Sequence, residues 1–247
     1  MVRLLWYGFF LGLYYLFFFF FRMLNSNLFL AIFLSFILVM VIYFVIALIR
    51  SIIQRNLLEE KCDPHKCLRG LEKQEKMIRN KPKAQALIGI NKAAVHLAMG
   101  EYHEAKSILD QIDTYYLKDR DSTLLVYTIN YISCCMELGE LDKANELFDT
   151  QLPVLTPYNK KLKKSIGILI GQRLFLQGKY DESYEQLKKL IDEDISRRQF
   201  LAILFLLGKI DEIRGNSDLA KKRYEKIVKL GNRLHLVQLA KERLADL

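Results

Sequence analysis

The chain has 247 residues, of which 51% are hydrophobic, and 37 Lys and Arg against 28 Asp and Glu give it a formal charge of +9. That excess is mild and well mixed, and no basic stripe interleaved with aromatics accompanies it, so nucleic-acid binding is excluded as an expected role. Four cysteines in a chain of this length exclude a disulfide-dense secreted scaffold.

The first fifty residues hold three charges, Arg3, Arg22 and Arg50, and two apolar runs, residues 4–21 and 28–49. An uninterrupted apolar stretch of about 18 residues or more is long enough to cross a hydrocarbon core about 30 Å thick. Backbone in lipid must bond to itself, so each run is expected to be a helix. Arg22, Asn25, Ser26 and Asn27 leave room only for a tight turn, giving a transmembrane hairpin over residues 1–53. The first run is rich in Phe and Tyr and lacks a small-residue cleavage site, unlike a signal peptide. Neither run carries an internal Asp, Glu, Lys or His of the kind that marks pumps and proton relays. Arg3, Arg50, Arg55, Lys61, Lys66 and Arg69 outnumber Arg22 in the turn, so the positive-inside rule places both termini in the cytoplasm of a two-span cell-membrane protein. The expected lipid contact covers residues 4–49.

Residues 54–82 read as a juxtamembrane linker helix segment, with the helix itself from about Pro64 to Arg79. Asp63 can cap it, Pro64 suits its first turn, and Pro82 separates it from the next helix. Cys62, His65 and Cys67 are the one cluster that invites a metal, but a structural zinc site wants four ligands and no second pair is matched to these. A helix start that carries two thiols is the simpler reading, with lipidation of Cys62 as another. Cys134 and Cys135 fall in an apolar helical pattern, where free thiols act as small hydrophobes, and reduced thiols fit a cytosolic face.

From residue 83 onward a repeat organises the sequence. Gly100-Glu-Tyr-His-Glu-Ala105, Gly139-Glu-Leu-Asp-Lys-Ala144, Gly178-Lys-Tyr-Asp-Glu-Ser183 and Gly215-Asn-Ser-Asp-Leu-Ala220 align, with glycines 39, 39 and 37 residues apart. Each glycine ends one helix, where a left-handed conformation costs little without a Cβ. Five residues later a small side chain (Ala105, Ala144, Ser183, Ala220) lets the second helix approach the first. One turn further, Leu109, Phe148, Leu187 or Tyr224 fills the space between units. Seven before the glycine comes Ala93, Ile132, Gly171 or Gly208. Helix pairs are expected at about 83–99 and 102–116, 121–138 and 141–152, 159–177 and 180–193, and 197–214 and 217–230. Residues 234–247 form a capping helix. Asn80-Lys81-Pro82 and Thr156-Pro157-Tyr158-Asn159 punctuate the pattern.

This pattern resembles the tetratricopeptide repeat (TPR). The resemblance implies an all-α fold in which the hairpin is followed, over residues 83–247, by a TPR-like right-handed α-solenoid. Departures are a period longer than the family's, Ile132 at a small position, Ser217 at an aromatic one, and no late proline in most units. In the family the first helix of each pair lines a concave groove that receives a peptide or partner helix. By position the resemblance puts Ile90, Ala94, Leu97, Ile129, Ser133, Met136, Ile168, Gln172, Phe175, Phe205, Lys209 and Glu212 in that groove. Some of these positions are equally suited to packing the core.

No nucleophile elbow, phosphate loop or dinucleotide fingerprint occurs, and His96, His103 and the carboxylates Asp181-Glu182 and Asp192-Glu193-Asp194 read as helix-end and surface groups. The sequence therefore predicts a non-enzymatic protein without cofactor. It is a membrane-tethered interaction scaffold or adaptor, or alternatively a structural subunit that associates through its spans, with a protein or peptide as partner and its oligomeric state open.

Overall fold

The computed structural model describes residues 2–24, 27–78, 81–120, 122–155 and 160–247. The expected punctuation at Asn80 and at Thr156 to Asn159, and Asn25 and Ser26 of the interhelix turn, lie outside the described residues. All regular structure among the described residues is helical: twelve α-helices and two short 3₁₀ turns. The chain divides into two compact units, one ending at Gln54 and one running from Arg55 to Leu247.

The first unit holds α1 (Val2–Met23) and the larger part of α2 (Leu28–Glu59). At 1.5 Å per residue they are about 33 and 48 Å long. Both are long and apolar enough to cross a membrane. They run antiparallel: Phe10 meets Tyr43 edge-to-face at 5.7 Å, and the Arg50 guanidinium lies 4.2 Å over the Trp6 ring. Ala31 and Ser35 are fully buried one turn apart, and Ser35 Oγ donates to the Ala31 carbonyl at 2.6 Å, so its hydroxyl is satisfied within the helix. Phe19, Phe20, Phe29, Phe33, Phe36 and Phe44 point outward. Such a surface is unfavourable in water and neutral in hydrocarbon.

The second unit begins with the last turn of α2. The linker helix expected from about Pro64 is α3 (Pro64–Met77); the difference lies before it, where α2 continues past the expected end at residue 49 to Glu59 and the chain turns through Lys61–Asp63. The break is local chemistry. Cys62 adopts φ +51°, Asp63 Oδ1 accepts from the Lys66 amide at 3.1 Å as an N-cap, and Pro64 takes the first helical position. Four pairs come next: α4 (Pro82–Met99) with α5 (Tyr102–Asp110), α6 (Thr123–Glu137) with α7 (Leu141–Thr150), α8 (Lys160–Leu176) with α9 (Tyr180–Ile191), and α10 (Arg197–Ile213) with α11 (Ser217–Leu230). A last helix, α12 (His235–Asp246), packs on α10 and α11. The expected helix 102–116 stops at Asp110, and a 3₁₀ turn at Thr114–Tyr116, capped by the Asp113 carboxylate, replaces its end. A second 3₁₀ turn at Leu152–Val154 succeeds α7, with Pro153 inside it.

Gly100, Gly139, Gly178 and Gly215 all sit at φ between 74 and 77°, the left-handed region that other residues enter at a cost. The small positions Ala93, Ala105, Ser183 and Ala220 are fully buried, and Ala144 nearly so. Their large partners Leu109, Leu187 and Tyr224 have no exposure. The pairing is steric: a Cβ at Gly208 would stand 2.7 Å from the Tyr224 ring, and one at Gly171 would press on Leu187. Phe148 is only partly buried, and the Arg173 guanidinium covers its ring at 4.4 Å. Within the stack, α4 packs on α6, α6 on α8, α8 on α10 and α10 on α12, while α12 also reaches α4. At that last contact His235 lies against Gly100 and meets the Tyr102 ring edge-on at 6.2 Å.

Candidate functional site

Ten of the twelve groove positions are half-buried, and Ile90 and Met136 are buried outright. Ile90 belongs to the core that Ala86 and Leu117 form, and Leu97 packs where Ala93, Ala105 and Leu109 meet. Met136 and Ile129 join the core around Leu125 and Ile132. Ile168 and Phe175 pack against the Leu187 and Leu207 cluster, and Phe205 lies against Tyr224 with ring centroids 5.8 Å apart. Ser133 spends its hydroxyl on the Ile129 carbonyl at 2.9 Å.

Ala94 has a different neighbour, the chain's own segment from the end of α2 to α3. Leu58, Cys67 and Leu71 are buried in one cluster with Ile88 and Val95 of α4, and Ala94 packs against it. Cys62 is fully buried among Leu201, Leu204, Tyr224 and Leu234. Polar contacts fix the segment from outside. Glu59 Oε1 accepts from Arg198 Nε at 2.9 Å and Nη2 at 2.7 Å, and Glu59 Oε2 accepts from Ser196 Oγ at 2.5 Å. Asn232 Nδ2 donates to the Lys61 carbonyl at 2.8 Å, and the Arg233 amide to the Cys62 carbonyl at 3.1 Å. Burial alone would raise the Glu59 carboxyl. The Arg198 charge and the hydrogen bonds from Arg198 and Ser196 outweigh it and hold the group below its ordinary value of 4.5.

The remaining polar positions converge. Gln172 Nε2 of α8 donates to Glu137 Oε1 at the end of α6, at 2.6 Å. Lys209 Nζ of α10 stands 4.5 Å over the Phe175 ring. Arg243 Nη1 of α12 reaches Glu212 Oε2 at 3.2 Å. Burial pushes the Lys209 ammonium below its usual pKa, and nearby Arg243 adds to this while Glu137 and Glu212 oppose it. Four of the expected residues, Gln172, Phe175, Lys209 and Glu212, thus form one mixed-charge strip with Glu137 and Arg243. Those last two escaped the sequence reading. Glu137 lies one helical turn after Ser133 on the same face, a spacing that could have revealed it. Arg243 belongs to the capping helix, whose approach no local pattern encodes.

The four thiols are inert in this setting. Burial pushes Cys62, Cys67 and Cys135 up to about 11 and Cys134 up to about 12. Cys62 and Cys67 face different clusters, and among the described residues no three His, Cys, Asp or Glu side chains converge as a metal site. His96 Nδ1 pairs with Glu101 Oε2 at 2.5 Å, while His103 is exposed on α5, so the two do not act together.

Family models, curated proteins and solved structures all return no significant match to this chain.

Proposed function

We propose that the second unit is a tetratricopeptide-repeat-like α-solenoid, held at the cytoplasmic face of a membrane by the hairpin, and that it binds a protein segment along the Gln172–Phe175–Lys209–Glu212 strip. The observation that carries this reading is a recurring joint: a left-handed glycine in all four pairs, a small residue against a large one in three of them, and first helices stacked on each other. The exposed apolar skin of α1 and α2 supports membrane tethering, and the basic residues after α2 support a cytoplasmic repeat unit. A tether raises the local concentration of the strip near membrane clients without any new contact. The strip offers both charges beside an aromatic ring, which suits a short helix or extended segment of mixed charge.

The part of the groove at Ala94 is occupied by the chain's own Leu58–Leu71 segment, which leaves the α8–α10–α12 side for the partner. The test places a photoreactive amino acid at Gln172 in the full chain in native membranes, and at Phe33 of α2 in a parallel sample. A discrete adduct at position 172 that disappears with Phe175→Glu and Lys209→Glu supports the reading. Adducts only at position 33 support the structural-subunit reading, in which aromatic-rich spans bind other spans.

A further inference from the structure

Residues of α5, α6, α7 and the two 3₁₀ turns line an open cleft of about 470 Å³, a volume in the range that small ligands occupy. Leu124 and Leu147 form apolar walls. Tyr127 and Tyr131, one helical turn apart on α6, present two rings with centroids 5.8 Å apart and planes inclined by 43°. Thr128, between them, is 1% exposed, and its hydroxyl has no hydrogen-bond partner among the described residues.

Charge decides what such a cleft takes. Lys143 at the margin is neutralised by Glu146 at 2.8 Å, and the nearby Lys106 by Glu140. Asp110 makes no salt bridge among the described residues; Lys106, one turn before it on α5, feels its charge but is bonded to Glu140. Its Oδ1 accepts from the Tyr131 hydroxyl at 2.7 Å, which fixes the carboxylate at the cleft and leaves Oδ2 for a ligand. The balance of these five charges is therefore negative and stands beside two tyrosine rings, a combination that favours an organic cation. Burial, with Asp110 next in effect, raises the Tyr127 phenol, so both tyrosines remain neutral donors at physiological pH.

We propose that this cleft binds a small amphipathic amine, with its ammonium on Asp110 and the Tyr127 and Tyr131 rings, and its apolar body against Leu124 and Leu147. The site is independent of the strip and of whether a partner binds there.

The test is calorimetric titration of the full chain in phosphatidylcholine nanodiscs, with empty nanodiscs subtracted. Phenylbutylamine is the probe, and phenylbutanol and phenylbutyrate match its body with a neutral and an anionic head. The amine is expected to bind roughly tenfold more tightly than the alcohol, and the acid not at all, because a charge-assisted bond is about twice as strong as a neutral one. Asp110→Asn, at an exposed position that keeps the helix, is expected to remove that preference. Lys221→Ala, at an exposed position on α11, is expected to leave amine binding unchanged. Equal binding of amine and alcohol, full affinity in Asp110→Asn, or heat that matches the empty nanodiscs would each overturn the proposal.

Discussion

The two units solve opposite packing problems with the same secondary structure. In the first, small residues Ala31 and Ser35 face inward and the phenylalanines face out. In the second, alanines and glycines face the large residues of the neighbouring helix, and charges cover the outside. Within itself the hairpin has only two helices, too few to hide its apolar side chains, and both are long and apolar enough to cross a membrane. The repeat unit has ten more helices, and each one buries what the next exposes. Large side chains therefore fill the core in the second unit and form the apolar surface in the first.

Truncation at matched aromatic positions tests that contrast most sharply. Tyr224→Ala removes a fully buried ring, and a loss of about 3–5 kcal/mol is expected. Phe19→Ala in α1, read in the same nanodiscs by denaturant unfolding, is expected to change stability by under about 0.5 kcal/mol. A comparable loss at Phe19 would break the comparison.

Next in size is the clamp on the end of α2. Glu59→Gln keeps the shape and removes the charge that Arg198 and Ser196 hold, and the expected loss is about 1.5–3 kcal/mol at neutral pH. Since the folded Glu59 pKa lies below the ordinary 4.5, this contribution is complete above that value. It fades as pH falls through the lowered folded value. Unfolding curves of the two proteins at a series of pH values should converge in acid and separate above pH 5, and divergence in acid would refute the clamp.

The turns give a smaller effect that grades within the second unit. Alanine at Gly139 meets open space and bears only the left-handed penalty, about 1 kcal/mol. Alanine at Gly100 would also press on the His235 ring, so Gly100→Ala is expected to lower the unfolding midpoint more than Gly139→Ala. Equal losses would mean that the α12 contact on α4 is loose. Smallest of all, alkylating reagents at neutral pH should leave the four buried thiols nearly unmodified in the folded protein, since burial keeps them protonated. Mass spectrometry before and after denaturant checks this.

The helices were legible because their signals are local. The glycines at 100, 139, 178 and 215 and the N-cap at Asp63 each act within about one turn of chain, and the observed ends fall within a few residues of those expected, except at the end of α2, which runs on to Glu59, and at α5. There Asp113 draws the Tyr115 amide into a cap, and a 3₁₀ turn takes the place of the helix end. The Glu59 clamp was not legible, since its bond to Arg198 joins residues 139 apart and neither shows any periodicity. The candidate strip was half legible. Positional reasoning found residues on α8 and α10 because those helices repeat, and it missed Arg243, which a non-repeating helix supplies. The same reasoning could not see that Ala94 is covered, because the covering segment precedes the repeats and belongs to no unit of the pattern.

The contact between α12 and α4 has an evolutionary consequence. In an array with free ends, duplication of a unit merely lengthens it. Here His235 rests on the turn at Gly100, so the last rod keeps company with the first. One unit more or fewer would pull that junction apart and would also unseat the Cys62 turn. Substitution on the outer faces of these helices is therefore expected to be tolerated better than insertion of a further pair between α4 and α12.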